Sequence, residues 1–407
     1  MTETTTAEEI SYEDVDLVDG AFWGGDVFPA FAWLRRHAPV YLDRRNDVVG
    51  ITKYEDIRRV ARDPDLFSSA GGIRPEVGAM PFMIDMDAPE HRRRRRLVNW
   101  GFTPKKVAEA EAGIRAVCDQ ILDKVCEAGT CDFVRDIAAP LPMIVIGDML
   151  GVAPGDRDEL LRWSDDMLKS LGSEDEALIL AAANAAAEYR SYILARVEER
   201  RASGDDADLV GTLVHAEVEG ERLDDESLVF ESLLILIGGD ETTRHVISGG
   251  MEALMRRRAQ WDDLAADRSL LPVAIEEMLR WVSPIKNMCR TATEDTELRG
   301  QAIRKGQKLM LLYPSANRDE EAFEEPETFD IRRSPNEHLA FGIGPHFCLG
   351  NRLARVELAT MYERLLERMP DIHLVDDGAP IGLRPANFVS GIESLPVAFT
   401  PSARVGA

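Results

Sequence analysis

Residues 341–350 read Phe-Gly-Ile-Gly-Pro-His-Phe-Cys-Leu-Gly. Two glycines and a proline ahead of the cysteine make a tight, rigid loop. Beyond it, Leu349, Leu353, Val356, Met361 and Leu365 recur at roughly helical spacing, which puts Cys348 where a helix begins. A helix N-terminus favours a thiolate and lowers a thiol's pKa. The glycine loop is expected to turn backbone N–H groups toward the sulfur. Gly350 leaves room for a flat ligand over the first helical turn. A thiolate held this way suits an axial bond to haem iron. Two other readings of the same residues stay open: a buried, inert cysteine, or a Cys–His nucleophile of Cys348 and His346. The second lacks an orienting acid nearby in the sequence.

Upstream lies a long helical segment, residues 225–256, whose middle (LVFESLLILIG, 228–238) is apolar nearly all round. Such a helix runs through an interior rather than over it. It continues into Gly238-Gly239-Asp240-Glu241-Thr242-Thr243. Each glycine in a helix interior costs about 1 kcal/mol relative to alanine. Either something approaches the backbone closely there, or the helix distorts. Glu241, a carboxylate beside the Thr242 hydroxyl, suits a proton relay. The structural alternative is a kinked helix with Glu241 ion-paired to Arg244 or His245.

The pattern F-x-x-G-x-x-x-C-x-G over residues 341–350 resembles the haem-binding loop of the cytochrome P-450 monooxygenases. Glu277-x-x-Arg280 resembles that family's buried Glu–Arg pair, and Arg333 resembles the third member of its ion network. Gly-Gly-Asp-Glu-Thr-Thr is similar to its oxygen-activation motif, with Glu241 as acid and Thr242 as alcohol. The resemblance runs from about residue 15 to 400. It implies a mostly α fold with small β-sheets, as one domain over 1–407 with a frayed start at 1–14. It implies haem b with Cys348 on the iron, Phe341 and Gly350 against the ring, and His91, Arg95, Arg290 and His346 on the propionates. It also implies dioxygen as co-substrate and two electrons from NAD(P)H through a ferredoxin reductase and a ferredoxin.

The segments AGGIRPE, PLPMIVIGDMLGV, LLILIGGDETTRH, IEEMLRW and LRPANFVSG are similar to one subgroup, the actinobacterial enzymes that oxidise the steroid side chain. That likeness implies cholesterol or cholest-4-en-3-one as substrate. The terminal methyl would go to alcohol, then aldehyde, then acid. Alternatives are hydroxylation of a fatty acid, terpenoid or macrolide, and a non-catalytic haem- or sterol-binding protein.

Composition narrows the classes further. The 407 residues include 73 acidic and 48 basic side chains, a net charge of −25. This argues against sequence-independent nucleic-acid binding and disfavours docking on anionic lipid. No apolar run reaches the length of a membrane helix; the best, Leu141–Val152, carries Asp148. The acidic start has no apolar signal segment, so the expected location is cytoplasmic. Cys118, Cys126, Cys131, Cys289 and Cys348 form no C-x-x-C pair, so neither a disulfide framework nor a structural zinc site is supported. In the run His91 to Arg96, His91 and Arg95 share a helix face at i, i+4. The other arginines form either a solvated face or, with Lys105, Lys106 and Arg352, a docking patch for an acidic electron carrier; Arg93 and Arg94 are the candidates within the run.

Helical patterns are expected over 27–40, 105–127, 137–150, 157–171, 177–200, 225–256, 268–281 and 349–368, and strands around 40–52, 308–313, 372–375 and 395–399. The apolar substrate pocket is expected from four groups. They are Ile73, Met80, Phe82 and Ile84 before the arginine run; Ile235 and Gly238 on the central helix; Val282, Ile285 and Met288 after the Glu–Arg helix; and Asn387, Phe388 and Val389.

Overall fold

The fold is built around one helix, Asp225–Met255, unbroken across its glycine pair. Asp224 caps it by accepting from the Ser227 N–H at 2.8 Å, and Asp225 and Glu226 complement the positive end of its dipole. The apolar stretch 228–238 is buried over most of its length, and from Asp240 onward nearly every side chain is buried although the sequence there is polar. Helices Pro140–Met149, Glu176–Ser203, Leu271–Val282 and Asn351–Arg368 pack against it. The helix does not distort at the glycines. A Cβ at Gly239 would lie 2.8 Å from Ile146, and one at Gly238 would project into open space. Close approach, rather than a kink, is what Gly239 serves.

This computed structural model describes residues 15–170, 173, 175–217 and 220–405. The expectation for residues 1–14 falls outside them. The chain is mostly α with small sheets. The expected helices form with shifted ends. The 27–40 segment is helical over Phe28–His37, and 137–150 divides into a π-helical turn, Val134–Ala138, and the helix Pro140–Met149. The division falls at Pro140, which cannot continue a preceding hydrogen-bond ladder. Among the described residues no helix is long and apolar enough to cross a membrane.

A five-stranded sheet runs Val40–Asp43, Val48–Ile51, Lys308–Leu312, Asn287–Ala292, Phe67–Ser68. Its pairs are antiparallel except Val48–Ile51 with Lys308–Leu312, where Val49 faces Leu309. The strand Asn287–Ala292 is not evident from sequence, because buried Asn287 and Arg290 interrupt its apolar pattern. It matters to the site, since alternation puts Met288 and Arg290 on one face. A second sheet pairs Pro396–Ala398 with both Thr130–Asp132 and His373–Leu374.

Glu277 and Arg280 are fully buried and joined at 2.7 and 2.8 Å. Arg333 and Asn336 complete the Glu277 carboxylate at 3.1 and 3.0 Å. Arg280 also donates to the carbonyls of Asn317, Pro326 and Thr328. One ion pair thus ties the Leu271–Val282 helix to the irregular segment 317–336. Removing one partner leaves an uncompensated buried charge. Glu277→Ala is expected to lower unfolding free energy by about 3–5 kcal/mol, while Glu277→Leu with Arg280→Met costs less than the single change. Urea unfolding of the two variants checks this order, and the reverse order would refute it.

Candidate functional site

Cys348 lies on the floor of a large open-mouthed cavity between the central helix and the helix Asn351–Arg368. Its volume is about 1450 Å³, counting the part that opens to solvent. The cysteine loop is fixed by its backbone. The Cys348 N–H donates to the Phe341 carbonyl at 2.9 Å, and the Asn351 side-chain amide donates to the Cys348 carbonyl at 2.7 Å. Gly344 has φ +80°, and a Cβ there would sit 2.5 Å from the Ala61 carbonyl oxygen, so only glycine fits. Phe341 is covered by the Arg355 guanidinium, 4.5 Å from the ring centre, and Arg355 is held by Glu276 at 2.6 and 2.8 Å.

The helix itself starts at Asn351 with Gly350 as N-cap, so the cysteine precedes it by three residues. The N–H groups of Gly350 and Asn351 point at the sulfur. The expectation of a lowered thiol pKa is corrected here. Burial pushes the Cys348 thiol up, and this outweighs the opposing pull of those N–H groups, Arg95 and Arg355.

The four expected cations meet at one edge of the cavity. His91, Arg95, Arg290 and His346 all line it. The two imidazoles stack with ring centres 4.0 Å apart, and His346 Nε2 meets Ser69 Oγ at 3.1 Å. Burial, and then the positive neighbours, push His91 down to about 4 and His346 to about 2. Arg95 and Arg290 donate to the carbonyls of Phe347 and Cys289, and among the described residues neither pairs with a carboxylate. Such a cluster needs anions from a ligand. Between this edge and the sulfur the walls leave a slot: Cβ atoms at Gly350 and Gly238 would both enter empty space. A soft axial donor, a flat slot and a cationic rim fit an iron porphyrin with two propionates.

Across the cavity, Thr242 presents its hydroxyl, which donates to the Gly238 carbonyl at 2.8 Å. Glu241 turns the other way. Its carboxylate is fully buried between Arg244, Arg384 (2.9 Å) and His245 (3.3 Å). Burial opposes its charge, but the hydrogen bond from His245 and the two arginines hold it well below the usual carboxylate range. The ion-pair alternative for Glu241 is therefore realised, with Arg384 added to the expected partners. The sequence gives no sign of Arg384, 143 residues away.

Five of the twelve expected pocket residues line the cavity: Ile84, Ile235, Gly238, Ile285 and Met288. Ile73, Phe388 and Val389 pack behind Ile84, Ile285 and Met288 as supporting core. Met80 and Phe82 belong to the core beside the central helix. Val282 packs against Gly249, and Asn387 uses its amide on the Val18 carbonyl at 2.8 Å. These seven are not among the residues that line the cavity. Missed wall residues include Met83, Leu234, Val246 and Thr243. Glu357 also lines the cavity, and burial beside Asp240 pushes it up to about 8. Its signal was an acid on the apolar face of the last long helix. Arg94, expected on a docking patch, turns inward to Glu231, and Arg93 pairs with Glu90 and Glu221. Lys105, Lys106 and Arg352 stay exposed.

The Cytochrome P450 family model matches residues 39–370. The steroid C26-monooxygenase of Mycobacterium tuberculosis H37Rv is 57% identical over 398 residues, covering 97% of this chain and 99% of that protein. A methyl-branched lipid omega-hydroxylase of Mycobacterium bovis is 37% identical over 420 residues, covering 97% of each. The crystal structure of CYP109E1 from Bacillus megaterium in complex with testosterone superposes with a TM-score of 0.85 at 34% identity, covering 92% of this chain and 98% of that one. With the cysteine floor, the slot and the cationic rim all inside the matched span, this chain belongs to the cytochrome P450 family.

Proposed function

We propose that this chain hydroxylates the terminal methyl of a sterol side chain, with cholest-4-en-3-one or cholesterol as substrate, and carries it onward to the acid. Family membership brings a haem-thiolate cofactor, dioxygen, redox partners and a lipophilic substrate. The observation that carries the sterol reading is the near-full-length 57% identity to a steroid C26-monooxygenase. The apolar wall of Ile84, Leu234, Ile235, Ile285 and Met288 agrees with it. The cofactor is haem b, the electron source NAD(P)H through a ferredoxin reductase and a ferredoxin, and the compartment the cytoplasm. Lys105, Lys106 and Arg352, exposed on a chain of −25 net charge, offer the acidic ferredoxin a local basic footing.

Bound here, the haem supplies the redox and oxygen-activating chemistry that side chains cannot. The chain's own work is fourfold. Cys348 would hold the haem iron through its sulfur, at which the Gly350 and Asn351 N–H groups point. His91, Arg95, Arg290 and His346 hold the propionates. The apolar wall excludes water and lays the side chain toward the sulfur axis. Thr242, at the cavity surface, passes protons inward, and Glu241 refills it from behind. Glu241 is reached from solvent through Asp165, which is partly exposed and shares Arg244 (3.1 Å) and Arg384 (3.4 Å) with it.

Cys348→Ala is expected to abolish the reduced carbon-monoxide signature of a thiolate-ligated haem; its retention would overturn the ligand assignment. In Thr242→Ala, product per NAD(P)H consumed should fall by roughly tenfold or more, with peroxide making up the difference. Unchanged coupling would take Thr242 out of the proton path. Spin-state titrations with cholest-4-en-3-one and with a methyl-branched fatty acid separate the sterol reading from the lipid one suggested by the 37% relative.

A further inference from the structure

One wall of the cavity is an irregular loop, residues 69–87, which contributes Met83 and Ile84. Buried charges hold it in place. Lys308 Nζ donates to the Val77 carbonyl at 2.8 Å. Asp85 accepts the N–H groups of Ile73 and Met80 at 3.0 and 2.9 Å, and Asp87 accepts that of Ser69 at 2.9 Å. These anchors join the loop to itself or to the sheet. Glu231 does something different: it joins the loop to the central helix. Its Oε1 accepts the Met83 N–H at 2.9 Å and meets Arg94 at 3.3 Å, while its Oε2 is buried with no hydrogen-bond partner among the described residues. Glu231 is the acid within the apolar stretch 228–238, and its side chain is fully buried. One turn further on, Leu234 and Ile235 line the opposite wall. At its edge the gap between loop and helix is thus bridged by this carboxylate, beside the T-shaped contact of Phe82 with Phe230.

We propose that Glu231 is a positioning residue for the substrate: its carboxylate, braced by Arg94, pins Met83 to the central helix and so sets the spacing of the walls that grip the apolar ligand. A charged acceptor makes the stronger hydrogen bond, and losing the charge loosens the loop. Burial pushes Glu231 up to about 7, against Arg94 and the Met83 N–H. An acid raised in this way is anionic above that value and neutral below it, so the grip strengthens as pH rises through about 7. Several titratable and charged groups face it. Arg94 presents its guanidinium, and burial pushes His91, on the same helix as Arg94, down to about 4. On the loop, Asp85 is a carboxyl raised by burial and bonded to Ile73 and Met80. At the start of the central helix, Asp224 is held low by Ser227. On the helix Glu176–Ser203, burial pushes the Tyr189 hydroxyl above its ordinary range.

The inference deepens the sterol reading and rests on it. Its test uses the haem-loaded protein and Glu231→Gln, which keeps an acceptor for Met83 but cannot ionise. The dissociation constant for cholest-4-en-3-one is taken from the spin-state shift between pH 6 and 8.5. Wild type should bind about tenfold tighter at pH 8.5 than at pH 6, and Glu231→Gln should be flat and match wild type at pH 6. Hydrogen exchange at pH 8 should be faster over residues 80–87 in the variant and unchanged in the helix Asn351–Arg368. A variant-to-wild-type ratio that is the same at every pH, or a flat wild-type profile, overturns the proposal. If neither protein responds to the sterol but both respond to a methyl-branched fatty acid, the sterol reading fails, and the same comparison made with that lipid decides Glu231.

Discussion

The fully buried pair Glu277–Arg280 is the interaction on which the rest of the site depends. Neither side chain lines the cavity, yet together they fix backbone along the chain that leads to it. Arg280 fixes the carbonyls of Asn317, Pro326 and Thr328, and Glu277 fixes the Asp330 N–H. Asn317 then accepts the Leu339 N–H at 2.7 Å, and Leu339 accepts the Gly342 N–H at the entrance to the cysteine loop. The neighbouring Glu276 holds His338 and Arg355, which brace Phe341 from the other side. Some twenty residues of irregular chain thereby reach Cys348 with little freedom. Buried ion pairs rarely add net stability, and specifying one arrangement is their better-attested use.

That division explains what the sequence could and could not disclose. The central helix is legible because it is apolar all round over a stretch that local periodicity detects. The cysteine loop is legible because its glycines answer local backbone demands, as Gly344 does against Ala61. The cationic rim is legible only through the resemblance, because Arg290 and His346 stand far apart along the chain and far from the His91–Arg95 pair. Seven of the expected pocket residues lie off the cavity wall for a related reason. Apolar residues near a site in sequence compete for wall and core positions, and only the fold decides that Ile84 faces the cavity while Ile73 stands behind it. The strand Asn287–Ala292 was hidden because it carries functional polar groups where a strand signal needs alternation.

The charge distribution reconciles an acidic chain with an anion-seeking site. The excess of acid is spread over a surface where many carboxylates pair with arginines at short range, such as Glu159 and Glu188 with Arg162. Exposed pairs of this kind add little stability. At the cavity rim the balance reverses: Arg95 and Arg290 stand beside two imidazoles whose pKa values burial and those arginines push down, and among the described residues no carboxylate pairs with either arginine. Desolvation makes that arrangement unfavourable for the protein alone, which is what makes the rim selective for a ligand bringing its own negative charge.

The glycine-bearing turn of the central helix shows the same logic at the scale of one residue. Asp240 and Glu241 are neighbours, separated by about 100° around the helix axis. Glu241 faces three cationic or donor groups and is held anionic. Asp240 faces the helix Asn351–Arg368, finds no partner for either oxygen, and is pushed well above the ordinary range by burial and by the charge on Glu241. Glu357 on that facing helix is raised to about 8 by burial and by Asp240, with Thr243 as its hydrogen-bond partner. Adjacent carboxyls in one turn are thus pushed in opposite directions. Environments that push titratable neighbours apart are how one scaffold keeps a proton donor and an acceptor within reach of the same reaction. The helix achieves this by rotation alone: one face turns to Arg244 and Arg384, the next to a dry interior. The unkinked backbone at Gly238 and Gly239 is what keeps the two faces from mixing.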